Sequence, residues 1–302
     1  MSSANKTERK NSMRGLRSTK IPAMIFTSAL LIVLFTPVVH AGIYYNVAIK
    51  GSYEDNVVGL LSDKRGGNAG MAGTPGGSMT GSVLKMGPSY TGSSSTSNSD
   101  TAINLYADLG AFRTIADDTF LFLTGSVEHT SYSSFTLLNS TIGGLSAGLN
   151  KGLGGMVTAK VAINGMLKRF GDSQRDSTAY GASVAVKEQL STTFWLKESY
   201  TYEKDRADSA LFSYNGNAVS ILAGYVILPK TTALLGYSYL VRNYDEPSGF
   251  KVTANTVSAG LEYELMREWF IDAHYDHQAS DSNLPGTNST DNLVSLGVRY
   301  SY

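Results

Sequence analysis

The chain has 302 residues, 25 basic and 25 acidic side chains, a formal net charge of zero and no cysteine. No disulfide framework is possible, and the hydrophobic content of 42% is too ordinary for a bundle of membrane helices. The 31 glycines and 18 tyrosines are many, a mixture that suits strands alternating between lipid on one face and a polar or small-residue interior on the other.

The first segment reads as a secretion leader. Arg14, Arg17 and Lys20 precede an apolar run from Ile25 to Phe35, Pro37 ends it, and Ala41 supplies a small residue at the junction. The run is nearer about fifteen residues than the roughly twenty that cross a bilayer as a helix. Residues 1–41 are therefore expected to be a signal peptide cleaved after Ala41, with Met1 or Met13 as the start. Six basic residues and one acidic residue precede Gly42, which leaves 19 against 24 and a net charge of −5 in 42–302. Nucleic acid is not an expected partner of so acidic a chain, and no cofactor is called for.

Ile43, Tyr45, Val47 and Ile49 alternate with smaller and polar residues, which predicts a first strand over 43–52. Residues 62–99 are rich in glycine and serine and read as one long loop excursion, with a single alternating stretch at 82–90. Eleven further alternating segments follow, at 102–112, 120–129, 141–150, 157–170, 180–189, 193–202, 218–228, 232–244, 256–265, 269–278 and 291–302. Short turns and longer polar connections join them in alternation, the signature of an antiparallel up-and-down transmembrane β-barrel over 42–302. The count is twelve strands, or fourteen if the excursion hides a hairpin.

The last eight residues carry the sharpest signal. Leu296, Val298, Tyr300 and Tyr302 share one face of a terminal strand, and Ser295, Gly297, Arg299 and Ser301 share the other. Ser295, Gly297, Tyr300 and Tyr302 together resemble the insertion signal of Gram-negative outer-membrane β-barrels, with Tyr302 where that family usually has Phe. More loosely, the closing part resembles β-barrel porin families and the barrel of surface-lipoprotein assembly modifiers. The resemblance implies location in the bacterial outer membrane, contact with lipid and lipopolysaccharide, and delivery by the barrel assembly machinery.

Alternation assigns a face to every strand residue, because a one-residue slip would exchange lipid and lumen. Lys160, Lys168, Lys187, Lys197, Arg242, Glu262, Glu264, Asp272, His274, Asp276 and Arg299 are expected to line the lumen, basic on the middle strands and acidic near the end. Arg299 could pair with Asp272 or Glu262. The spacing Asp272-x-His274-x-Asp276 also suits a general base or a cation site, but no serine or second histidine stands at a matching spacing. Glu198 falls on an apolar face, which implies a bulge or a lipid-facing carboxylate. Asp172, Asp176, Asp205, Asp208, Asp245, Glu246 and Asp281 are read as solvated tips of the outer loops.

The leading expectation is a porin-like channel for passive passage of small hydrophilic solutes. A structural or surface-interaction barrel with a closed lumen is the alternative, and an outer-membrane hydrolase comes third. Changing Tyr300 and Tyr302 together to Ser is expected to abolish outer-membrane accumulation. Normal heat-modifiable protein in the outer-membrane fraction of that double variant would remove the basis for the terminal signal.

Overall fold

The computed structural model describes residues 41–57, 99–283 and 288–302. The leader and nearly all of the glycine- and serine-rich excursion lie outside the described residues. Twelve strands, β1 (Ala41–Glu54), β2 (Asp100–Ala116), β3 (Thr119–Tyr132), β4 (Ser140–Gly152), β5 (Val157–Phe170), β6 (Ser177–Gln189), β7 (Phe194–Ala207), β8 (Tyr214–Leu228), β9 (Thr231–Tyr244), β10 (Lys251–Met266), β11 (Trp269–Ser282) and β12 (Ser289–Ser301), form one closed antiparallel barrel. The count is twelve and not fourteen, because β1 pairs directly with β2 from Ala41↔Arg113 to Glu54↔Asp100, with no hairpin between them in the sheet. Pairing of β12 with β1, from Asn46↔Ser301 to Glu54↔Leu293, closes the ring.

The alternation seen in the sequence is the alternation of faces. Ile43, Val47, Ile49, Leu105, Leu109, Val161, Ile163, Leu235 and Leu296 point outward and are exposed. Tyrosines flank this apolar belt at both rims. At the lower rim, where β1 starts and β12 ends, the Tyr45 ring lies 5.7 Å from Tyr300 and 5.3 Å from Tyr302, and Trp269 lies 5.2 Å from Tyr300. The Tyr300 hydroxyl donates to Glu268 at 2.9 Å. An apolar belt between aromatic girdles is the surface of a barrel that spans a bilayer.

Two-residue turns at the lower rim place Asp118, Lys230 and Glu268 at φ of 55°, 68° and 70°, each next to a register shift in the ladder. Such a bulged hairpin matches strand twist in the shortest connection available.

The upper ends differ from the sequence reading. β6, β7, β8 and β10 run three to five residues further up than their apolar alternation, so the loop expected over 205–216 shrinks to 208–213. Above the belt the outward positions become polar, as at Thr178, Arg206, Asn215, Asn243 and Lys251, while the hydrogen-bonded ladder continues. Hydrophobic periodicity therefore reports the lipid-facing span and misses the strand beyond it.

Four upper connections share one closure. A side-chain oxygen at the start of the descending arm accepts the last N–H of the ascending strand: Asn139 from Tyr132 at 2.7 Å, Asp176 from Phe170 at 2.7 Å, Ser213 from Ala207 at 2.9 Å and Asn288 from Ser282 at 3.1 Å. Asp176 is thus a structural acceptor and not a free loop tip.

Large inward side chains lie flat on the wall because each faces a glycine on the neighbouring strand. Tyr44 pairs with Gly110 and Phe112 with Gly42 across β1 and β2, Trp195 with Gly224, His274 with Gly260, and the Lys50 stem with Gly297. A β-carbon at any of these glycines would overlap the facing side chain. Gly224→Val is expected to push the Trp195 ring off the wall and to cost about 1–3 kcal/mol of stability. Trp195 and Trp269 are the two tryptophans of the chain, so in a Trp269→Phe background the emission of Trp195 should move to longer wavelength as the ring enters water.

Candidate functional site

All eleven side chains expected in the lumen sit on inward positions of the barrel, by register and by burial. Their partners divide the interior into three regions.

The upper half holds a packed charge network. Lys168 on β5 crosses over β6 to reach β7, where its ammonium donates to Glu203 Oε1 at 2.9 Å and Asp205 Oδ2 at 2.6 Å. Small β6 residues make the crossing possible, since Gly181 faces Glu203 and Ala179 faces Asp205 in the ladder. Tyr214 on β8 donates to Glu203 at 2.5 Å, and the Arg242 guanidinium lies 4.0 Å from the centre of the Tyr214 ring. Leu240, Tyr244, Phe250, Val252 and Ala254 pack beside it as a buried apolar cluster. This corrects two expectations. Asp205 is not a solvated loop tip but a buried strand residue, and Lys168 is not part of an unbalanced basic wall, because two carboxylates neutralise it.

The second region lies on β10 to β12 and β1. Arg299 reaches across β11 to Glu262 at 2.5 Å, approaches Asp272 at 3.5 Å and lies 4.4 Å from the centre of the Phe270 ring. The two alternatives for its partner are therefore both realised. Lys50, which sequence reasoning left out although it shares the inward parity of β1, lies within electrostatic reach of Asp272, Asp276 and Arg299. Asp272 thus has Arg299 and Lys50 near it, Asp276 has Lys50, and His274 covers Gly260 on the wall.

The third region is the lower half of β5 to β7. Lys187 and Lys197 are direct cross-strand partners, both inward and both half-buried. Lys187 lies 4.8 Å from the Trp195 ring centre, and Lys160 lies 4.1 Å from that of Phe122. Among the described residues neither Lys187 nor Lys197 has a carboxylate within ion-pair distance. In a ring of twelve, β5 to β7 stand opposite β11, β12 and β1, so the basic patch faces the Arg299–Glu262–Asp272 wall across the lumen. Glu262 acts electrostatically on Lys187 over that gap.

Glu198 is a lipid-facing carboxylate. It pairs with Val186 and Ile221 in ladders that run through it without a register shift, so no bulge turns it inward.

Removing the cation from a buried pair costs far more than removing both charges. Lys168→Met is expected to lower stability by about 3–5 kcal/mol in denaturant-dependent folding into lipid vesicles. Adding Glu203→Gln and Asp205→Asn should restore most of the loss, and a triple variant no more stable than the single one would show that the network contributes through packing alone.

Residues 223–302 match a family described as "Putative beta-barrel porin 2". No curated protein sequence matches the chain. Among solved structures, an outer membrane channel from Pseudomonas putida F1 superposes with a TM-score of 0.53 at 9% identity, covering 88% of this chain and 97% of that one. The NanC porin gives a TM-score of 0.49 at 11% identity, over 84% of this chain and 98% of that one. The translocator domain of the autotransporter NalP from Neisseria meningitidis gives 0.42 at 10% identity, over 93% and 96%. The likeness is one of fold, a β-barrel.

Proposed function

We propose that this barrel is an outer-membrane channel of porin type that passes small hydrophilic solutes passively, with the lower rim toward the periplasm. The observation that carries this reading is the pair Lys187 and Lys197, directly opposed on the lumen face with no ion-paired carboxylate among the described residues. Like charges placed directly opposite destabilise a sheet. In a dry interior such cations gain carboxylates, as Lys168 does; in a water-filled lumen, solvent and mobile counter-ions do the same work. The acidic and Arg299-bearing wall opposite adds a transverse field that sorts solutes by charge and dipole.

One observation favours the competing reading of a closed structural barrel. The Lys168 and Arg242 region of the upper half is packed, and its side chains, like Arg299 in the lower half, are almost wholly buried at 1% exposure. We assign Asp272, His274 and Asp276 to the charged wall and not to a reaction, because Asp272 lies beside Arg299 and Lys50 lies within reach of both carboxylates.

Replacing Lys160, Lys187 and Lys197 together by Glu is expected to move the reversal potential under a salt gradient toward cation preference. Single replacements should have smaller effects, since counter-ions screen each charge over roughly 8 Å at physiological salt. An unchanged reversal potential in a conducting triple variant would take these lysines off the conduction path, and a wild-type protein that never conducts in planar bilayers would support the closed barrel.

A further inference from the structure

The lower basic patch has the composition of a binding site as well as of a wall. Lys187 and Lys197 face each other from β6 and β7, and Thr158 on β5 is the direct partner of Lys187 on its other side. Trp195 lies against Gly224 on the wall, with the Lys187 ammonium 4.8 Å from its ring centre. The next inward residue on β7, Ser199, is bonded to Ser220 at 2.6 Å, which fixes a hydroxyl pair above the lysines. Lys160 adds a third positive charge within electrostatic reach of Lys197. Two acids reach this group: Glu262, on the opposite wall and bound there to Arg299 at 2.5 Å, acts on Lys187, and Asp108 acts on Lys160.

Two adjacent ammonium groups call for two negative charges on one small body. A chloride ion or a monocarboxylate supplies one. A phosphate monoester carries nearly two at neutral pH and presents three acceptor oxygens, enough for both lysines and the Thr158 hydroxyl at once. We infer that Lys187, Lys197 and Thr158 form a discrete, saturable site for a phosphate dianion, so that small phosphorylated molecules are among the solutes held in the lumen. The inference rests on the open-lumen reading for its biological use, while binding itself is measurable without conduction.

The test uses the refolded full barrel in a Trp269→Phe background, titrated with inorganic phosphate at constant ionic strength in chloride. Calorimetry reads binding and the emission of Trp195 reads its place. The expected result is saturable binding with a Trp195 response, weakened about tenfold or more by Lys187→Gln with Lys197→Gln and unchanged by Lys151→Gln at the lower rim. Heat-modifiable migration checks that each variant is folded, and Lys197→Gln alone, expected to give an intermediate loss, replaces the double variant if that one does not fold. Non-saturating titration of the wild type, or equal affinity in the lysine variants, overturns the site. Chloride current in planar bilayers separates the two readings: current without saturable phosphate binding leaves the channel and removes the site, and binding without current leaves the site and removes the channel.

Discussion

In lipid no water is available to the backbone, so every N–H and C=O of a spanning segment must find a partner in the protein itself. For strands that requirement has one solution, a closed ladder, and the β1–β12 pairing provides it here. Closure then dictates the rest. Strand geometry sends alternate side chains outward and inward, the outward set must suit lipid between two interfaces, and the inward set takes most of the charge. Glu198 shows how firmly the ladder rules: its carboxylate stays on the outward face among Val186 and Ile221 because turning it inward would break the register of two neighbouring pairs.

The interior handles its charges in two ways. In the upper half, small β6 residues let Lys168 bridge to Glu203 and Asp205, and Tyr214 and Arg242 complete a network that is nearly dry. In the lower half, Lys187 and Lys197 stand opposed without such partners, and the Lys187 ammonium lies over the Trp195 ring, which is itself flattened onto Gly224. The first arrangement gives rigidity; the second gives an electric field.

Much of this was legible in the sequence because the barrel uses a period of two. The faces of Val157, Val161 and Ile163, of Trp269 and Tyr275, and of all eleven charged lumen residues follow from alternation alone. Legibility failed where alternation stopped being about lipid. The ends of β6, β7, β8 and β10 above the belt carry polar residues on their outward faces, so Glu203 and Asp205 were lost from the lumen together with the strand end that holds them. Partner choice was also out of reach: that Lys168 passes over β6 depends on Ala179 and Gly181 being small, a property of the neighbouring strand and not of the residue itself. Lys50 was missed for no physical reason, since its parity on β1 is as clear as that of Ser52.

The side-chain closures at the upper connections bear on how such a barrel comes together. Asn139, Asp176, Ser213 and Asn288 each satisfy the last donor of the strand a few residues before them, so each ascending and descending pair completes its own tip from nearby sequence. Contacts of this kind form early and cost little loop entropy. Assembly then reduces largely to adding hairpins side by side, and the steps that join distant parts of the chain are the pairing of β1 with β2 across residues 55–99 and the meeting of β1 with β12. The ring becomes complete at that seam, where Tyr45 lies against Tyr300 and Tyr302.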